Sequence, residues 1–134
     1  MTQINHLVVY GTLKKGGRLC FPLDKFRKSS TACEFRADMY SIRDSYPGIV
    51  NINTADRTVV AEVHEFAPED MDKVLRIADN IEGYFEDRPA AHNLYLRARM
   101  LIKKDGKTVP AYVYTYNQPL KGHKIVADGN WNID

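Results

Sequence analysis

Two places in the 134-residue chain hold groups that structure alone would not favour. The first is Glu82. It closes the series Met71, Val74, Leu75, Ala78 and Ile81, whose spacing predicts a helix with Pro68 in its first turn and Gly83 as its C-terminal cap. A helix C-terminus carries partial negative charge, so Lys or Arg would suit that position and a carboxylate is opposed. Beside Ile81, Tyr84 and Phe85 the carboxylate would be desolvated and its proton affinity raised, which makes a general base. A carboxylate that points into water or pairs with Arg88 fits the same residues. The second place is Gly11, at the end of the β-branched and aromatic run 6–10. A glycine after a strand exposes backbone amides that can bind an anion, or it merely redirects the chain.

Other chemistries find less support. His6, His64, His92 and His123 are scattered without a second ligand at metal spacing, so no metal is assigned. No Gly-x-Ser-x-Gly elbow and no phosphate-binding Gly-x-x-x-x-Gly-Lys-Ser/Thr loop occurs. Cys20 and Cys33 match neither a disulfide framework nor a zinc pattern and read as reduced thiols.

The elements that would position Glu82 and Gly11 follow from periodicity. Residues 6–10 read as a buried first strand. Over 31–42, Cys33, Phe35, Ala37 and Met39 alternate with Glu34, Arg36, Asp38 and Tyr40, as in a half-buried strand. Ser45-Tyr46-Pro47-Gly48 reads as a turn, and 49–52 and 59–66 as two further strands of a meander. After the helix, 94–102 alternates again, and Asp105-Gly106 signals a two-residue hairpin. That turn pairs Lys104 with Lys107, Arg99 with Tyr112, Arg97 with Tyr114 and Tyr95 with Tyr116. Ile125, Val126 and Trp131 anchor a polar tail. These elements make an α+β fold, read as a small mixed β-barrel with one main helix packed against it, over a single domain 1–134.

Composition narrows the function classes. The net charge of +2 is too small to argue for nucleic acid, and Lys14, Lys15 and Arg18 read as a solvated loop or as cations that steer a small anion. No stretch approaches the roughly 20 apolar residues of a membrane span, and residues 1–6 lack a signal-peptide pattern, so a cytoplasmic location is expected. A tyrosine-bearing sheet face can stack nucleotides, but such a face is usually half buried.

In this order, Val8-Val9-Tyr10-Gly11-Thr12-Leu13-Lys14-Lys15-Gly16, Tyr46-Pro47-Gly48, Glu62-Val63, Asp79-Asn80-Ile81-Glu82-Gly83, Tyr95-Leu96-Arg97 and Ala111-Tyr112-Val113-Tyr114 resemble the motifs of the γ-glutamylcyclotransferase-like (AIG2-like) family. Ala61 stands where the family usually has Gly, Ala78 where it has Leu, and Asn130 where it has Asp.

The resemblance implies a compact α+β barrel and an enzyme that cyclises a γ-glutamyl amine or small γ-glutamyl peptide to 5-oxoproline, releasing an amine, without a cofactor. It implies that Glu82 takes the proton of the substrate's α-ammonium group and returns it to the departing amine. The amides of Gly11, Thr12 and Leu13 would hold the α-carboxylate, with Tyr10 at the pocket wall and Tyr84, Tyr95, Arg97 and Tyr114 as further pocket candidates, Arg97 being equally well a structural ion pair. The partner expected is therefore a small-molecule γ-glutamyl substrate, with no nucleic acid and no membrane. The leaving amine and the oligomeric state stay open, as does a non-catalytic barrel that binds a small anionic metabolite or a protein.

Overall fold

The computed structural model describes residues 3–11, 13–14, 16–17 and 21–131. Its strands form two sheets. Five strands are ordered β2 (Arg27–Arg36), β5 (Thr58–Phe66), β1 (His6–Val9), β7 (Lys107–Tyr116), β6 (Tyr95–Lys104). A smaller sheet is ordered β4 (Tyr46–Val50), β3 (Asp38–Ile42), β8 (Lys124–Ile125). Beside a short helix α1 (Phe21–Asp24), the main helix is α2 (Met71–Glu82), entered through a 3-10 turn at Pro68–Asp70. The fold is thus mixed α+β with one main helix. The larger sheet curls until its edge strands β2 and β6 approach, but they do not join in a ladder, so the sheet is not closed into a barrel.

β1 explains its own sequence. It lies between β5, to which it is antiparallel, and β7, to which it is parallel, and all four of its residues are buried. A central strand covered on both faces needs an unbroken apolar run rather than alternation. Val8 faces a core shared with Phe35, Met39, Ile49, Val63 and Val113, while Leu7 and Val9 face a second core with Phe66, Val74 and Ala78 of α2. The functional groups gather at the C-terminal end of this strand.

The hairpin β6–β7 has the register expected from Asp105-Gly106: Lys104 pairs with Lys107, Arg97 with Tyr114 and Tyr95 with Tyr116. Both turn residues have positive φ, 53° and 79°, as a turn that matches the strands' twist requires. Helix α2 also follows its periodicity, burying Met71, Val74 and Ala78.

The second sheet departs from expectation. The strand foreseen over 31–42 breaks at the buried Ala37, whose amide donates to the Arg57 carbonyl, and the chain passes into the other sheet. β2 therefore pairs with β5 while β3 and β4 form a separate hairpin, and the meander is corrected. Tyr46-Pro47-Gly48 is strand, not turn. The reversal comes earlier, at Arg43 and Asp44, with φ of 54° and 58°. Proline is accommodated because β4 is an edge strand, where a missing N–H costs no ladder bond.

The tail is held more by backbone than by Ile125, which is partly exposed and pairs with Tyr40. Val126 and Trp131 do pack on the first core. Gly129 (φ 63°) lies so close to β5 that a Cβ there would stand 1.9 Å from the Thr58 carbonyl oxygen, and its own carbonyl accepts from Val60 N at 2.8 Å. Lys14 is buried rather than solvated: its ammonium donates to the Trp131 carbonyl at 2.8 Å and reaches Asn130 Oδ1 at 3.4 Å. Lys15, Arg18 and Cys20 lie outside the described residues. Cys33 is buried, with its thiol pushed up to about 12 chiefly by burial. Among the described residues no helix is long and apolar enough to cross a membrane.

Candidate active site

The first loop begins where β1 runs out. Lys14 N donates to the Gly11 carbonyl at 3.0 Å, which ties Lys14 back to the end of the strand. Gly11 presses against the ring of Pro47, and a Cβ there would lie 2.7 Å from Pro47 Cγ. Gly48 is equally tight, since its Cβ would lie 2.7 Å from that of Tyr116. The Tyr-Pro-Gly segment is therefore small where β4 meets the first loop and β7.

Helix α2 supplies the opposite wall. Gly83 ends it at φ 67°, in the left-handed region that glycine adopts without steric cost. The amides of Gly83 and Tyr84 both donate to the Asp79 carbonyl, and the last turn holds no basic residue. Glu82 is thus delivered at the helix's negative end.

Between these walls lies a cavity of about 140 Å³, bordered by the end of β1, Tyr10, Gly11, Leu13, Tyr46, Pro47, Ile81, Glu82, Leu94, Tyr95 and Tyr114. A single water needs roughly 10–15 Å³ on this measure, so the cavity accommodates a small molecule. Among the described residues, Glu82 is the one carboxylate in the lining, and no Lys, Arg or His belongs to it. Only partly exposed, Glu82 has its carboxyl pushed up to about 7 by burial. No described side chain hydrogen-bonds to it and it forms no ion pair with Arg88, whose guanidinium lies over the Phe85 ring. At neutral pH such a group can both accept and return a proton.

The tyrosine hydroxyls are committed elsewhere. Tyr10 donates to the Tyr114 carbonyl, Tyr95 to the Pro47 carbonyl, and Tyr114 to Asp79 Oδ1 at 2.6 Å. All three phenols are raised well above their ordinary range, mainly by burial, and the charge of Glu82 adds to each shift. They stay neutral, and their proximity to Glu82 is electrostatically felt.

Of the residues expected at the site, Tyr10, Gly11, Leu13, Glu82, Tyr95 and Tyr114 border this cavity; Thr12 lies outside the described residues. Tyr84 and Arg97 do not border it. Arg97 follows Tyr95 on one sheet face but sits two residues, roughly 6–7 Å, further along the strand. There it passes behind the end of α2, bonded to Asp79 Oδ2 at 2.7 Å and Glu86 Oε1 at 2.6 Å. Its guanidinium lies over Tyr84 and Tyr112, in a shallow outer groove. Tyr46, Pro47 and Leu94 also line the cavity; the sequence signals the first two only through the Tyr-Pro-Gly motif, whose residue types suggest a turn, and gives no sign of Leu94. Asp79 was visible as a motif residue, one helical turn from Glu82, but its tie to Tyr114 was not.

Several solved structures share this fold. A uropathogenic Escherichia coli-specific protein, c4763, superimposes with a TM-score of 0.58 at 22% identity, over 97% of this chain and 93% of its own. PH0828 from Pyrococcus horikoshii gives 0.59 at 17% identity, over 94% and 88%. An AIG2-like protein from Mus musculus gives 0.61 at 21% identity, over 85% and 78%. No curated protein sequence matches the chain. The family described as gamma-glutamyl cyclotransferase, AIG2-like, matches residues 7–133, and with that match over the strand, loop and helix end just described, the chain belongs to this family.

Proposed function

We propose that the chain is a γ-glutamyl cyclotransferase that releases 5-oxoproline and a free amine from a γ-glutamyl amine or small γ-glutamyl peptide. The observation that carries this reading is Glu82, the one carboxylate among the described residues at the cavity wall, whose pKa burial lifts to about 7. A binding site for an anion would gain nothing from such a group.

Glu82 takes one proton from the α-ammonium group, and the freed nitrogen attacks the γ-carbonyl carbon of the same molecule. The bond from that carbon to the leaving nitrogen then breaks as Glu82 returns the proton to it, and the extra proton still on the ring nitrogen passes to the released amine, which departs as an ammonium ion. Nucleophile and electrophile share one molecule, so folding the glutamyl chain supplies most of the proximity advantage. The loop at Gly11, Thr12 and Leu13 holds the α-carboxylate through backbone amides, and Tyr10, Tyr95 and Tyr114 shape the wall. No cofactor takes part. The reaction takes place in the cytoplasm.

The test is incubation of the purified protein with a panel of γ-glutamyl amines and dipeptides, with 5-oxoproline detected by mass spectrometry. Product that disappears in Glu82→Gln supports the reading. Product formed equally by Glu82→Gln, or none across the panel, overturns it, the latter in favour of a fold that only binds.

A further inference from the structure

Tyr114 belongs to two arrangements at once. Its ring borders the cavity beside Glu82, and its hydroxyl donates to Asp79 at 2.6 Å. The second oxygen of Asp79 accepts from Arg97, which continues to Glu86. The backbone carbonyl of Asp79 meanwhile accepts the amides that end α2, one turn from Glu82. One residue thus ties the helix end to the pocket wall by main chain and side chain together.

A phenol hydroxyl beside two carboxylates donates to one of them, and a charge-assisted bond stabilises the charged form of whichever accepts it. Asp79 and Glu82 stand three residues apart on α2, neighbours on one helix face, and Tyr114, bonded to the first, borders the same cavity as the second. Were the hydroxyl to turn to Glu82, that carboxylate would become a weaker base. Of the other titratable groups that border the cavity, Tyr10 and Tyr95 donate to main-chain carbonyls and Tyr46 lines the wall opposite α2, while Arg97, outside the cavity, is held by Asp79 and Glu86.

We propose that Asp79 is a positioning residue for Glu82: by accepting the Tyr114 hydroxyl hydrogen it keeps that donor off the Glu82 carboxylate and preserves its strength as a base. The inference rests on the reading of Glu82 as the acid/base. Its test does not need turnover, because the titration of Glu82 is observable directly.

The experiment follows the Glu82 carboxyl by 13C NMR with labelled glutamate, assigned by its loss in Glu82→Gln, in the wild type, Asp79→Leu, Tyr114→Phe and the double variant. Asp79→Leu should lower the Glu82 midpoint by about one pH unit, and the acid limb of kcat/KM should follow. Tyr114→Phe should leave the midpoint in place, and the double variant should bring it back. A midpoint unmoved in Asp79→Leu overturns the proposal. A double variant as low as Asp79→Leu overturns it too, since lost Asp79 charge alone would then explain the shift. Should Asp79→Leu not fold, Asp79→Asn, a weaker acceptor, should give a smaller shift that Tyr114→Phe reverses; an unshifted or unreversed midpoint there is equally fatal. An inactive wild type that shows the reversible shift would discard the cyclotransferase reading and keep the Asp79 arrangement.

Discussion

Lys14 Nζ donates to the Trp131 carbonyl at 2.8 Å, so a buried ammonium joins the loop after the first strand to the strap that covers β5. Burial lowers the Lys14 pKa, and the Glu62 charge acts in the opposite sense. The loop expected to hold a substrate carboxylate is therefore fixed from behind by residues 116 or more positions away.

Lys14→Met should loosen both ends of that link. We expect a loss of about 1–3 kcal/mol in thermal or urea unfolding. Faster amide exchange is expected at Val60, which donates to Gly129 in the same strap. KM for the γ-glutamyl substrate should rise more than kcat falls. An unchanged Val60 amide would show that the strap is held without Lys14.

Gly11→Ala places a Cβ 2.7 Å from Pro47 Cγ, and neither a proline ring nor a strand can yield cheaply. Overpacking of this kind costs roughly 1–3 kcal/mol. The variant should melt lower and bind 5-oxoproline more weakly in calorimetry. Wild-type values in both measurements would show that the loop and β4 move apart freely.

The raised pKa of Glu82 has a sign that can be checked in stability. Between the ordinary value of 4.5 and about 7 the native state holds a proton that the unfolded chain has released, so rising pH through this window destabilises the fold. Glu82→Gln removes that burden, and above pH 7 it should be the more stable protein by on the order of 1–3 kcal/mol, with the difference vanishing below pH 4.5. Unfolding curves at pH 5 and pH 8 decide it.

The same group sets the pH–rate profile. Because the base must be deprotonated, kcat/KM should fall about tenfold per pH unit below a midpoint near 7. An acid limb centred near pH 4.5 would mean that Glu82 is hydrated in solution.

What the sequence made legible is what local physics decides. Asp105-Gly106 fixed the β6–β7 register because a two-residue turn allows only one, and α2 with its Gly83 cap followed from helical spacing. The misreadings have a common origin in contacts distant along the chain. Pro47 and Gly48 looked like turn residues because their reasons for being small, Gly11 on one side and Tyr116 on the other, lie 36 and 68 residues away. Arg43 and Asp44 carry the positive φ without a glycine to announce it. Arg97 and Tyr84 shared a motif neighbourhood with the cavity but fall behind the helix end, and the burial of Lys14 depends on a tail no local pattern could connect to it.

The parallel pairing of β1 with β7 brings Leu7 beside Tyr112 and Val8 beside Val113. Parallel neighbours so far apart cannot be nucleated by a turn, and such loop closures slow folding. On a ribosome, β1 must therefore wait, with one edge unpaired, until β7 has emerged. The cavity wall made by Tyr10 and Tyr114 closes only then, so a chain interrupted before β7 would carry Glu82 on a helix with no pocket to serve.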